Sequence, residues 1–310
     1  MARLEGTWTA LYTPFGSDGR LDEVAYRRLA ERLVAAGSGL LACGTTGETP
    51  TLTEAEYVRC IEIAVDVGRG HGPVMIGTGN SSTVDSIAAT RLAKELGADL
   101  ALVVTPPYNK PPQKGLLAHF RAVADVGLPI ILYNVPGRTG ANLLPATTLE
   151  LARDPRFVAI KEAGGSLAHM EALVAGARAL DNGFSVLSGD DAMILPLIAI
   201  GGHGVVSVAC NVAPDAVVAL TRAALAGDLD DARLRHEQLL PLFTALFLTS
   251  NPIPVKAAAA ILGHARPDVR LPLTRLDADD PADRRILDAL VDALALVGTG
   301  PDLATTAETA

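Results

Sequence analysis

Short aliphatic runs alternate with amphipathic segments along most of this chain, and this alternation does more than any other feature to limit how it can fold. The runs at 8–13, 39–43, 74–77, 100–105, 130–134, 157–161, 185–188 and 204–207 read as strands. Between them, segments such as 22–36, 54–67, 83–96 and 114–126 carry helical spacing. Asp22 precedes an apolar-periodic run, and Thr53 with Glu56 forms a candidate capping box. Gly37, Gly68 and Gly97 stand where helices should stop. Continuous aliphatic runs suit parallel strands buried on both faces. Eight strand–helix units in a row predict a parallel sheet, and eight is the number that closes into a barrel. The expected fold is therefore α/β, a (β/α)8 TIM barrel. The alternative is an open doubly wound sheet. No strand, however, is followed by G-x-G-x-x-G with an acidic residue about 20 positions on, and Gly77-Thr78-Gly79 is too short a match.

The 310 residues accommodate a barrel of about 250 with an appendix. The expected divisions are a barrel with the active site over 1–227, a C-terminal helical region over 228–298, and a frayed tail over 299–310. Within the appendage, helices are expected at 228–248, 254–262 and 281–297. Hydrophobic residues make up 49% but aromatics only 4%, so aliphatic side chains must fill the core. A net charge of -9 argues against nucleic acid and anionic membrane as partners, and an anionic substrate would need a local positive group. Cys43, Cys60 and Cys210 are odd in number, widely spaced and in mostly apolar contexts, which fits a reduced, cytoplasmic protein. No Cys or His pair has zinc-ligand spacing. The N-terminus lacks a signal-peptide apolar region, and no run approaches about 18 uninterrupted apolar residues, so no membrane span is expected.

In such a barrel the chemistry lies at the C-terminal ends of the strands. Lys161 ends the otherwise apolar run Phe157-Val158-Ala159-Ile160. On local pattern alone, a lysine snorkelling to solvent is the commoner outcome. Strand alternation, however, puts Phe157, Ala159 and Lys161 on one face. If that face is interior, desolvation lowers the amine pKa and frees a nucleophile that attacks a ketone. Tyr133, near the end of the preceding strand, would stand beside it, and Thr45 or Thr46 could relay its proton. Taken alone, Tyr133 is also an ordinary half-buried strand tyrosine, and Gly44-Thr45-Thr46-Gly47-Glu48 an ordinary tight turn. Arg138 follows the Tyr133 strand and could fork a carboxylate, although a loop arginine is usually just exposed. Asp190 and Asp191 lack an evident third metal ligand, so one is read as a helix N-cap and the other is left unassigned.

Together these motifs resemble the class I aldolase family of dihydrodipicolinate synthase and N-acetylneuraminate lyase. The resemblance runs from Ala10-Leu11-Tyr12-Thr13-Pro14-Phe15 to Leu271-Pro272-Leu273. It is carried by Gly44-Thr45-Thr46-Gly47-Glu48, Tyr133-Asn134-Val135-Pro136, Ile160-Lys161-Glu162-Ala163, Ser188-Gly189-Asp190-Asp191 and Gly201-Gly202-His203-Gly204-Val205. Gly137-Arg138-Thr139-Gly140 and Asn251-Pro252-Ile253-Pro254-Val255-Lys256 are similar to the synthase branch.

The resemblance implies that Lys161 forms an imine with pyruvate, without cofactor or metal. It implies a proton relay of Thr45, Tyr133 and Tyr108, with Tyr108 reaching in from a neighbouring subunit. Thr46 would bind the pyruvate carboxylate, Arg138 the carboxylate of aspartate 4-semialdehyde, and Gly189 and Val206 would line the pyruvate pocket. The product would be 4-hydroxy-tetrahydrodipicolinate, on the way to lysine and diaminopimelate, and the assembly a homotetramer built as a dimer of dimers. Pro107 departs from the family, many members of which have a second tyrosine there. The positions matching the family's lysine-inhibition site are Ser81, Asp85, Glu54, Tyr57 and Pro107. Only Asp85 keeps the expected charge, so lysine feedback is expected to be weak or absent. The rival readings are a sibling aldolase acting on a sugar acid or another aldehyde, a catalytically silent family member, and a phosphate-binding barrel isomerase using 201–204.

Overall fold

The computed structural model describes residues 3–298; the tail expected at 299–310 lies outside the described residues. Among the described residues, eight parallel strands close into a barrel in chain order. They are β1 (Gly6–Ala10), β2 (Gly39–Ala42), β3 (Val74–Gly77), β4 (Leu100–Val104), β5 (Ile130–Asn134), β6 (Phe157–Glu162), β7 (Ser185–Ser188) and β8 (Gly204–Ser207). The helices around them are α1 (Glu23–Ala35), α2 (Glu54–Gly68), α3 (Thr83–Glu95), α4 (Gln113–Ala124), the single turn α5 (Pro136–Thr139), α6 (Pro145–Leu151), α7 (Leu167–Leu180), α8 (Ile194–Ala199) and α9 (Pro214–Leu225). Beyond them, α10 (Leu229–Ala245), α11 (Ile253–Ile261) and α12 (Pro281–Leu296) form the C-terminal appendage. There α10 packs on α9 and α12, and α11 packs on α12. No helix among the described residues is long and apolar enough to cross a membrane.

Strand alternation divides the core into two layers. Leu41, Met75, Leu102, Ile131 and Leu187 fill the barrel interior. Leu40, Ile76, Val103, Leu132 and Val186 point outward, into the layer beneath the helices. Both layers are dry, which is why the strands read as unbroken aliphatic runs rather than as a period of two.

Local signals set the helix starts. Asp22 caps α1 through Ala25 N, and Thr53 and Glu56 make both bonds of a capping box on α2. Gly37 and Gly97 follow α1 and α3 with φ of 85° and 90°. Gly68 differs from its expected role. It is the last residue of α2 rather than a left-handed stop, and a Cβ there would meet Val74 Cγ2 at 2.3 Å. Its smallness lets α2 approach β3.

Two strand expectations also need correction. β1 ends at Ala10 rather than Thr13. Past Leu11, whose N–H still donates to Leu41 O, the chain turns to distant partners: Tyr12 N donates to Asn211 Oδ1 and Thr13 Oγ1 to Gly47 O. Phe157 does not share the face of Lys161. The register steps from Ile130↔Phe157 to Ile131↔Ala159, so Val158 is an extra residue in a bulge. Phe157 therefore packs in the outer layer while Ala159 faces the interior.

Candidate active site

β5 and β6 pair Tyr133 directly with Lys161 at the C-terminal mouth of the barrel. Lys161 is 6% exposed, and its Nζ lies 4.4 Å from the centroid of the Tyr133 ring. Burial lowers the amine pKa from 10.5 to about 8. The carboxylate of Asp191 opposes that shift, and the guanidinium of Arg138 reinforces it. Tyr133 is buried, and desolvation holds its phenol above the ordinary value. The hydrogen bond to the Thr45 side chain and the Arg138 charge pull the other way, towards phenolate. An amine that is partly free near neutrality thus stands beside a phenol–hydroxyl pair able to pass protons.

The turn that carries Thr45 and Thr46 follows β2. Glu48 closes it in the left-handed region, with φ of 54°, and donates its N–H to Thr45 O. The Glu48 side chain is buried and paired with Lys256 of α11 at 2.6 Å, while its Oε2 accepts from Arg270 N. Lys256 Nζ also lies 4.1 Å from the centroid of the Phe15 ring. The C-terminal appendage is thereby fastened to the threonine turn. Thr46 is buried, and its Oγ1 accepts from Asn251 Nδ2 at 2.9 Å. Arg138 sits on α5 and donates to Asn251 O at 3.2 Å.

A cavity of about 610 Å³ opens at this mouth, with Thr45, Tyr133, Arg138 and Pro107 among its walls. Lys161 is not itself a wall residue; its amine stands against the Tyr133 ring, which is. Gly189 lies directly over the lysine stem, where a Cβ would meet Lys161 Cε at 2.9 Å. Val206 is fully buried in the same interior layer as Tyr133. The structure therefore brings Lys161, Tyr133, Thr45, Arg138 and Gly189 together. Tyr108 stays apart: it is 91% exposed, in the left-handed region with φ of 69°, on a loop held by Asn109 Nδ2 on Ser81 O.

The two aspartates do not form a pair. Asp190 caps a short turn through Ala192 N. Asp191 is buried and accepts from the Ser207 hydroxyl and from the N–H groups of Val208 and Ala209, tying β7 to the end of β8. Glu162, next to the lysine but facing outward, accepts from Asn134 Nδ2 and Gly164 N and lies 3.3 Å from His169 Nε2. These bonds pin the ends of β5 and β6. Asn251, Lys256 and Asp191 were not assigned roles on sequence grounds. The one local signal was Lys256 itself, a lysine in an otherwise apolar helix.

A buried amine at the end of a barrel strand, a phenol beside it and an arginine at the mouth define an enzyme of the class I aldolase type. The chain belongs to the dihydrodipicolinate synthetase family, whose sequence profile matches residues 3–291. It is 49% identical over 290 residues to the 4-hydroxy-tetrahydrodipicolinate synthase of Thermomicrobium roseum, covering 93% of this chain and 94% of that protein. The crystal structure of dihydrodipicolinate synthase from Aquifex aeolicus is 42% identical, with a TM-score of 0.90, and covers 96% of this chain and 100% of that one. That of the chloride-inhibited dihydrodipicolinate synthase from Acinetobacter baumannii, complexed with pyruvate, is 39% identical, with a TM-score of 0.89, over 95% of this chain and 99% of that one.

Lowering the amine pKa costs stability. The folded value of about 8 lies below the unfolded value of 10.5. The penalty is therefore full below pH 8 and fades as pH rises towards 10.5, losing about 1.4 kcal/mol for each pH unit climbed between those two values. Lys161→Met keeps the volume and removes the charge. It is expected to raise the unfolding free energy by about 2–3 kcal/mol at pH 7 in urea titrations, with the gain shrinking towards pH 10. A variant no more stable than the parent at pH 7 would contradict the burial cost.

Proposed function

We propose that the chain condenses pyruvate with aspartate 4-semialdehyde to give 4-hydroxy-tetrahydrodipicolinate, through an imine on Lys161. The observation that carries this reading is the buried Lys161 amine, with its pKa near 8, against the Tyr133–Thr45 pair. The free amine attacks the pyruvate ketone, and water leaves as the imine forms. The iminium withdraws electrons and acidifies the adjacent methyl, which loses a proton to give an enamine. The enamine carbon attacks the aldehyde, and the resulting alkoxide takes a proton delivered by way of Tyr133 and Thr45. The amino group of the semialdehyde then attacks the imine carbon and displaces Lys161 as the ring closes. The iminium is the electron sink, so this chemistry needs neither metal nor cofactor.

Thr46 is assigned to the pyruvate carboxylate and Arg138 to the carboxylate of the aldehyde. Gly189 leaves room beside the lysine stem, and Val206 contributes apolar wall. The pyruvate-bound Acinetobacter baumannii relative supports the first substrate, and the synthase names among the relatives support the second. The chain is read as a biosynthetic enzyme of the lysine and diaminopimelate route. The three free, buried cysteines fit a cytoplasmic setting. Tyr57 spends its hydroxyl on Gly77 O, in keeping with weak or absent lysine feedback.

Tyr108 is assigned to the relay of a second copy, because its exposure and left-handed backbone offer it outward. The full assembly is read as a tetramer built from such dimers. Sedimentation velocity of the active enzyme is expected to give a dimer or larger; an active monomer would remove Tyr108 from the chemistry.

Borohydride reduction in the presence of pyruvate should leave a pyruvate-derived mass on the peptide containing Lys161. No adduct, or an adduct elsewhere, would sink the mechanism. Arg138→Ala is expected to cut kcat/KM for aspartate 4-semialdehyde by about 100-fold while leaving the pyruvate adduct intact. Full activity of that variant would favour a sibling aldolase with another acceptor.

A further inference from the structure

Asn251 stands at the entrance to α11 and is 6% exposed. It touches both groups assigned to substrate carboxylates. Its side-chain Nδ2 donates to Thr46 Oγ1, and its main-chain oxygen accepts from Arg138 Nη2. Its Oδ1 is buried and has no hydrogen-bond partner among the described residues.

A hydroxyl has one proton and two acceptor positions. An amide N–H on Thr46 Oγ1 fills an acceptor position and leaves the hydroxyl proton to point elsewhere. An acceptor at residue 251 would do the reverse, drawing that proton to itself and turning a lone pair towards the substrate. For a carboxylate the two arrangements are opposite in sign, one a charge-assisted hydrogen bond and the other a repulsion. We propose that Asn251 is a positioning residue that sets the polarity of the Thr46 hydroxyl, making it a donor to the carboxylate of a 2-oxo acid, while its main chain steadies Arg138. The inference rests on the assignment of Thr46 to pyruvate made above.

Two variants of the full-length enzyme test it. Asn251→Asp has the same size but accepts when ionised and donates only when protonated. Asn251→Ala removes the donor without adding an acceptor. Both are followed by melting temperature and by separate kcat and KM for pyruvate across pH.

Asn251→Asp is expected to raise pyruvate KM by about ten- to a hundredfold at neutral pH, with kcat changed much less. Its KM, relative to that of the parent enzyme, is expected to recover as pH falls and the new carboxyl protonates. Asn251→Ala is expected to raise KM less, by a factor that does not vary with pH. A pyruvate KM within twofold of the parent in Asn251→Asp overturns the proposal, and so does an equal, pH-independent rise in both variants. If Asn251→Asp does not fold, Asn251→Ala decides, and an unchanged pyruvate KM there overturns it. Absence of a pyruvate adduct in the parent enzyme would be the failure of the assigned function instead.

Discussion

Removing the Lys161 amine from water is the step on which the rest of the structure depends. Burial disfavours the ammonium form, and the amine becomes a nucleophile near neutral pH. The barrel supplies that burial, at the cost in stability given above. Its interior is already filled by Leu, Ile and Met side chains, so a single polar side chain at the last inward position of β6 is dry on most sides. The Asp191 carboxylate keeps the shift from going further, and Asp191, just past β7, is itself held by three donors at the end of β8.

The appendage matters for the same reason. The threonine turn must face the lysine, and a turn after a short strand is free to move. Glu48 and Lys256 anchor it through a buried ion pair, with Arg270 N on the second carboxylate oxygen. A buried pair gains little net stability over apolar packing, but losing one partner strands the other charge. Loss of either partner would therefore leave a buried, unpaired charge at the base of the turn. Asn251 adds a second attachment, on Thr46 itself. The helices beyond the barrel are thus part of the mouth.

Much of this was legible in the sequence because it is written locally. The bounds of β3, β5, β7 and β8 follow from aliphatic runs closed by turn residues, and the starts of α1 and α2 from Asp22 and the Thr53–Glu56 box. Lys161 stood out because it ends an otherwise apolar run, and Tyr133 because adjacent strands of a barrel end side by side. The failures have a common cause in long-range partners. β1 stops early because Tyr12 and Thr13 bond to Asn211 and Gly47. Phe157 changes face because of a bulge that only the pairing with β5 reveals. Asn251 lies 205 positions from Thr46, and no periodicity could have joined them. Tyr108 is the opposite case: the family resemblance assigns it to the relay from a neighbouring subunit, and within one chain it faces solvent.

The rate at which pyruvate forms its imine on Lys161, followed by borohydride quench and mass spectrometry between about pH 6 and pH 11, reads the state of the amine directly. A lysine desolvated as described gives a rate that climbs with pH and levels off with a midpoint close to 8. A midpoint near the ordinary lysine value of 10.5 would mean that the barrel leaves this amine unperturbed, and would contradict the role given to its burial.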